Sequence, residues 1–186
     1  MRYGGFPESD LLTVDDEDSI IALLNHPTRI CEIQLTATAP LLEKLALVTQ
    51  QPFSALEYLQ LSTRTEPGVV LPSEFSGTPR LRTLCMIRVA LPAFPKFLSL
   101  AKDLVSLQLE EIPSIGYTLE ALLIGLPAMT LLKSLRIYFL SPSSRPVLSD
   151  TLQSPEMRSV LPCLNYMEFH GTSEYLECLL STISTP

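Results

Sequence analysis

Six times along the chain an apolar residue is followed three positions later by a second and two positions after that by a third. The runs are Ile30-Ile33-Leu35, Leu56-Leu59-Leu61, Leu81-Leu84-Met86, Leu104-Leu107-Leu109, Leu132-Leu135-Ile137 and Leu164-Met167-Phe169. Their first residues lie 26, 25, 23, 28 and 32 positions apart, near the roughly 20 to 29 residues at which a short strand and its return segment recur in stacked architectures. The last two residues of each run are two apart, the side-chain period of a strand, so each run predicts a short strand with one apolar face. A chain that repeats this unit six times reads as a solenoid, with its function carried by a long regular surface rather than by a catalytic pocket.

The segments between the runs predict the return path. After the acidic stretch Asp15-Asp16-Glu17-Asp18, residues Ile20, Ile21, Leu23 and Leu24 line one side of a short helix ending at Pro27, so residues 16–27 read as a capping helix at the open N-terminal end. Leu41, Leu42, Leu45, Ala46 and Val48 have helical spacing. The return TRTEPGVVLPSEFSGTP holds three prolines and two glycines and predicts irregular chain or a single helical turn. A short helix is expected around Phe97 and Leu98, and a longer one over TLEALLIGLPAM, capped by Thr118. The Ser- and Pro-rich stretch 143–160 explains the longest interval as an inserted surface loop. Residues 173–184 predict a C-terminal capping helix in which Tyr175, Leu176, Leu179, Leu180 and Ile183 cover the last unit. Together these features predict one α/β domain over residues 1–186: a leucine-rich-repeat solenoid with a curved parallel sheet of about six strands, and helices and irregular segments on its convex side.

If the paired apolar residues face the core, the residues between and beside them face outward. The outward sets are Glu32, Gln34, Thr36; Tyr58, Gln60, Ser62; Thr83, Cys85, Ile87; Ser106, Gln108, Glu110; Ser134, Arg136, Tyr138; and Tyr166, Glu168, His170. They vary in charge, size and aromatic content while the core pairs stay nearly uniform, as expected when the sheet is scaffold and its concave face is read by a partner. Tyr58, Gln60, Gln108, Glu110, Arg136, Tyr138, Tyr166, Glu168 and His170 form the expected partner-binding set. Tyr58, Tyr138, Tyr166 and Arg136 are its expected anchors, because aromatic and Arg side chains dominate interface energetics.

Charge narrows the partner. With 13 basic against 20 acidic residues, a formal charge of −7, the balance argues against a nucleic-acid surface, while a face six strands wide, roughly 24 Å, suits a protein partner. The N-terminal MRYGGFPESDLLTVDDEDS lacks the basic and apolar regions of a secretory signal, so an intracellular location, cytoplasmic or nuclear, is expected. The apolar stretch from Leu119 to Leu135 is interrupted by Glu120, Pro127 and Lys133 and falls short of a membrane span. Cys31, Cys85, Cys163 and Cys178 form no CxxC pair and have only His26 and His170 as histidine company, which predicts free thiols and no metal. No GxSxG, HExxH, Gly-rich phosphate loop or Cys-His constellation is present, so neither an enzyme nor a cofactor is expected.

The pattern SIIALLNHPTRICEIQL, then SALEYLQL with VVLPSEFSG and PRLRTLCM, then KDLVSLQLEEIPSIGYTLEALLIGLPAM and the terminal TSEYLECL, resembles the leucine-rich-repeat region of fungal F-box-type proteins from about Asp16 to Ile183. The resemblance implies substrate recognition within a cullin-based ubiquitin ligase. The first 15 residues are too few and too polar for an F-box, so the adaptor-binding half is not expected here. A ligand-sensing or immune-type recognition module is the alternative use of the same face. The asparagine of the family's LxxLxLxxNxL repeat is replaced by Thr38, Arg64, Val89, Ile112, Leu140 and Thr172, so no asparagine ladder is expected.

Overall fold

The computed structural model describes residues 22, 24, 26–48, 53–64, 68–71, 78–91, 94–113, 119–139 and 159–184. Each apolar run contributes one five-residue strand: β1 (Glu32–Thr36), β2 (Tyr58–Ser62), β4 (Thr83–Ile87), β6 (Ser106–Glu110), β7 (Ser134–Tyr138) and β9 (Tyr166–His170). They form one parallel sheet in chain order, β1-β2-β4-β6-β7-β9. Two-residue strands complete the set: β3 (Val69–Val70) beside β5 (Val89–Ala90), and β8 (Ser159–Val160) beside β10 (Ile183–Ser184). Among the described residues the return segments include the α-helices α1 (Ala39–Val48), α2 (Phe94–Leu100), α3 (Leu119–Gly125) and α4 (Ser173–Thr182). The molecule is thus α/β, with a six-stranded parallel sheet.

Register follows directly from the repeat. Ile33, Leu59, Leu84, Leu107, Leu135 and Met167 stand side by side, as do Leu35, Leu61, Met86, Leu109, Ile137 and Phe169. These two rows, together with Leu56, Leu81, Leu104 and Leu132, join Leu42 of α1, Phe94, Phe97 and Leu98 of α2, Leu122 and Leu123 of α3, and Tyr175 and Leu179 of α4 in one apolar cluster. The helices therefore cover one face of the sheet. A slip by one residue would turn the Leu rows out to solvent, and that fixes the alignment.

The backbone secures the same register at both strand ends. The carbonyl just before each strand accepts two amides from the next unit: Cys31 O from Glu57 and Tyr58, Glu57 O from Arg82 and Thr83, Arg82 O from Val105 and Ser106, Val105 O from Lys133 and Ser134, and Lys133 O from Asn165 and Tyr166, at 2.8 to 3.2 Å. At the other end Ala37, Thr63, Arg88, Glu111 and Phe139 each donate to the last strand residue of the following unit. Such bonds satisfy the turns without asparagine. Two of the substituting residues, Val89 and Ile112, are buried apolar instead, while the Thr38 carbonyl receives the amides of Leu41 and Leu42 as α1 begins.

Several sequence expectations change in detail. The return from β2 contains strand β3 rather than only irregular chain: Val69 and Leu71 donate to the carbonyls of Arg88 and Ala90. Gly68 enters that strand at φ +98°, and a Cβ there would meet the Arg88 carbonyl oxygen at 2.6 Å. Helix α3 is no longer than α2; it gives way to a 3-10 turn over Leu126–Ala128, where Pro127 has no N–H to continue an α-helix. The C-terminal helix ends at Thr182, because Ile183 and Ser184 pair with Ser159 and Val160. Leu180 is 55 % exposed and covers nothing. Pro27 opens a 3-10 turn, Pro27–Arg29. Most of the expected N-terminal capping helix, Thr118, and residues 143–158 of the expected loop lie outside the described residues.

Candidate functional site

On the face away from the helices three rows of side chains run across the strands: Glu32-Tyr58-Thr83-Ser106-Ser134-Tyr166, Gln34-Gln60-Cys85-Gln108-Arg136-Glu168, and Thr36-Ser62-Ile87-Glu110-Tyr138-His170. All nine sequence-predicted partner-binding residues stand on this face, in two groups. Tyr58 and Gln60 lie on β2, where the tyrosine hydroxyl donates to Gln60 Oε1 at 2.8 Å. Gln108, Glu110, Arg136, Tyr138, Tyr166, Glu168 and His170 occupy three adjacent strands, β6, β7 and β9. Strand β4 separates the groups and carries Thr83, Cys85 and Ile87.

The face is less open than alternation alone suggests. Cys85 is only 7 % exposed and Ser62 is buried. Ser62 Oγ shares a 2.6 Å hydrogen bond with Thr36 Oγ1, so small residues on neighbouring strands close over each other. Burial, with the nearby Glu110 charge, pushes the Cys85 thiol up to about 11, opposed by Arg136. Tyr58 is likewise raised by burial first, then by Cys85 and Glu32.

The hub of the larger group is Glu168. The Tyr166 hydroxyl donates to its Oε2 at 2.7 Å, His170 Nε2 lies 3.4 Å from Oε1, and Arg136 Nε lies 3.5 Å from Oε2. The Arg136 guanidinium carbon sits 5.0 Å from the Tyr166 ring centroid, within cation–π range. Tyr138 stacks on His170 with centroids 4.7 Å apart and planes 12° apart. Hydrogen bonds from Tyr166, then from Tyr138 and His170, hold the Glu168 carboxyl below its ordinary range, with Arg136 adding its charge. Tyr138 moves the other way, up to about 12, through burial first and then through its bond to Glu168. One carboxylate thus ties four side chains into a plate on the last two strands.

The expected anchors Arg136, Tyr138 and Tyr166 belong to this plate, and Tyr58 does not. The sequence places Glu168 in the partner-binding set but not among its anchors. Its hub role was visible only on aligning the runs, which puts Arg136 beside Glu168 in the middle row. A second concavity lies at the starts of the strands, a groove of about 370 Å³ lined by Glu57, Arg80, Arg82, Asp103, Val105 and Leu131; no sequence signal singled it out. Among the described residues no three His, Cys, Asp or Glu side chains converge to hold a metal ion, and no helix is long and apolar enough to cross a membrane. All four cysteines are free. The chain matches no protein-family model, no curated protein and no solved structure.

Proposed function

We propose that the chain is a leucine-rich-repeat-type solenoid that acts, without catalysis, as a protein-interaction domain through the open face of its sheet. The observation that carries this reading is the Arg136–Tyr138–Tyr166–Glu168–His170 plate: two tyrosines, an arginine and a histidine gathered by hydrogen bonds, an ion pair, a cation–π contact and ring stacking, yet 38 % exposed at Arg136 and 50 % exposed at His170. Side chains ordered in advance lose less entropy on binding, and Tyr and Arg are the residue types that carry most interface energy. The solenoid reading rests on the chain-order parallel pairing, the unshifted register and the carbonyl ladder repeated from unit to unit. Six strands at about 4.8 Å give a face roughly 24 Å wide, suited to a partner that buries about 800 Å² on each side. Glu168 is held by the Tyr166 hydroxyl and paired with Arg136, an arrangement that suits a structural hub better than a general base.

The resemblance to the repeat region of F-box-type proteins favours target recognition for a ubiquitin ligase as the cellular setting. Four free thiols fit a reducing, intracellular compartment. A photo-crosslinking residue placed at Gln108 should capture a partner from cell lysate, and one placed at Lys96 on α2 should not. Arg136→Ala with Tyr138→Ala should abolish the Gln108 capture while the thermal midpoint moves little, because both side chains face away from the core. Capture from Lys96 that survives the double substitution would move the functional surface to the helical face and end this reading. Ligase adaptor subunits recovered together with the captured partner would support the ligase setting; recovery of a signalling ATPase instead would favour an immune-type module.

A further inference from the structure

The open face carries three described carboxylates, Glu32, Glu110 and Glu168, against one guanidinium, Arg136. Arg136 is already engaged, paired with Glu168 and set over the Tyr166 ring. Glu110 is not: it is half-buried near the middle of the face, and its carboxylate makes no hydrogen bond or ion pair among the described residues. Its register neighbours are Ile87 on β4 and Tyr138 on β7. Tyr138 in turn has His170 as its neighbour on the far side, and that histidine covers one face of the ring. The other side of Tyr138 looks toward β6 and Glu110.

Two neighbouring places on this face therefore share one chemistry. On β7 and β9 a cation lies between a tyrosine ring and a glutamate, and the cation is the protein's own Arg136. On β6 and β7 the ring and the glutamate are present, Ile87 stands beside Glu110 in its row, and no cation among the described residues pairs with that glutamate. Arg64 and Arg88 follow β2 and β4 and belong to no row of the face. A cation set beside a carboxylate and over an aromatic ring gains both the charge and the quadrupole attraction. The methylene stem of a lysine or arginine would lie along Ile87.

We propose that Glu110 and the ring of Tyr138 seat a lysine or arginine side chain of a protein partner, so that the segment recognised by the open face is basic. This rests on the reading of that face as the binding surface. It agrees in sign with the whole chain, whose formal charge of −7 would steer a basic partner inward.

The test is a titration of the full chain with a capped peptide of alternating arginine and glycine, followed by backbone amide NMR shifts. Saturable shifts centred on Glu110 and Tyr138 are expected, weakening as salt is raised. Glu110→Gln should raise the dissociation constant by about fivefold, the share of an ion pair at a half-exposed site. Glu177→Gln, which removes one equivalent charge from α4, should leave it unchanged. Equal weakening by both substitutions would reduce the effect to bulk charge and overturn the proposal. So would an unchanged constant in Glu110→Gln, or equal binding of a glutamate–glycine peptide. If those results came together with intact crosslinking from Gln108 that Arg136→Ala with Tyr138→Ala still abolishes, the open face would stand as the binding surface and only the basic partner would fall.

Discussion

The Glu168 carboxylate shows how one residue can order a surface without being buried in it. Hydrogen bonds from Tyr166, Tyr138 and His170 reach its oxygens and the Arg136 charge lies alongside, and each of these favours the charged form. The carboxyl therefore titrates lower in the folded protein than in the unfolded chain. Its contribution to stability is fully present above the unfolded value of about 4.3 and is lost as pH falls through the folded value. The gap in melting temperature between the wild type and Glu168→Gln should be constant near neutrality and close as pH drops below about 4; a gap that persists into acid would mean that the bonds to Glu168 do not form. Tyr138 gives the opposite sign. Its raised value keeps the phenol neutral, so its contribution holds below the ordinary tyrosine range and is lost as pH rises toward about 12. In an ultraviolet alkaline titration, Glu168→Gln should lower the Tyr138 midpoint only in part, because burial is the larger cause. At Gly68 the constraint is in the backbone: φ of +98° and an oxygen 2.6 Å from the missing Cβ. Gly68→Ala should cost more than about 1 kcal/mol in denaturant unfolding, and a neutral substitution would show that the β3–β5 pairing is dispensable.

At the scale of elements, the strands were the most legible part of the sequence. Each run of three apolar residues encodes both a strand and its facing, and the repeat spacing aligns the runs, so the six strands and their order follow from the pattern alone. Leu107 is the sharpest case: a central-row leucine, fully buried between Leu84 and Leu135. Leu107→Ala should cost about 2 to 5 kcal/mol, read as a fall in the denaturation midpoint with the slope unchanged. A midpoint that does not move would refute the core register. What the pattern did not show depends on contacts between distant segments. Val69 and Val70 become strand because Val89 and Ala90 stand next to them, and Ile183 leaves the helical path to pair with Ser159. Neither pairing leaves a local signature in a two-residue segment. Cys85 stands between Gln60 and Gln108 in its row and is buried, although alternation along its own strand points it outward. The Glu168 hub was half legible: register placed the right residues side by side, while the side-chain geometry that makes one carboxylate serve four neighbours was not encoded in spacing. Gly125 is a similar case, since its Cβ would fall 2.6 Å from Leu98 Cβ where α3 passes α2.

Across the whole molecule, chain-order pairing means that each strand touches only the units before and after it, so stability is expected to vary along the stack rather than to be shared equally. Burial already shows the gradient. Leu84, Leu107 and Leu135 are fully buried in their row, whereas its end members Ile33 and Met167 are only partly covered. The two ends differ in turn. Behind β9 the helix α4 packs Tyr175 and Leu179 into the core, and Phe139 meets both Phe169 and Tyr175 edge-on at 6.2 and 5.8 Å. Both edge strands keep some solvent contact at every residue, and β1 is exposed at three of its five positions where β9 is exposed at two. Native-state hydrogen exchange should therefore rank the strands, with β4 and β6 opening only by global unfolding, β9 at somewhat lower free energy, and β1 first. Leu107→Ala should lower the exchange free energy of β4, β6 and β7 together, because it empties a site their neighbours share, and should change β1 least. Uniform exchange across all six strands would mean that the stack unfolds as one cooperative block, and the unit-by-unit account of its stability would have to be given up.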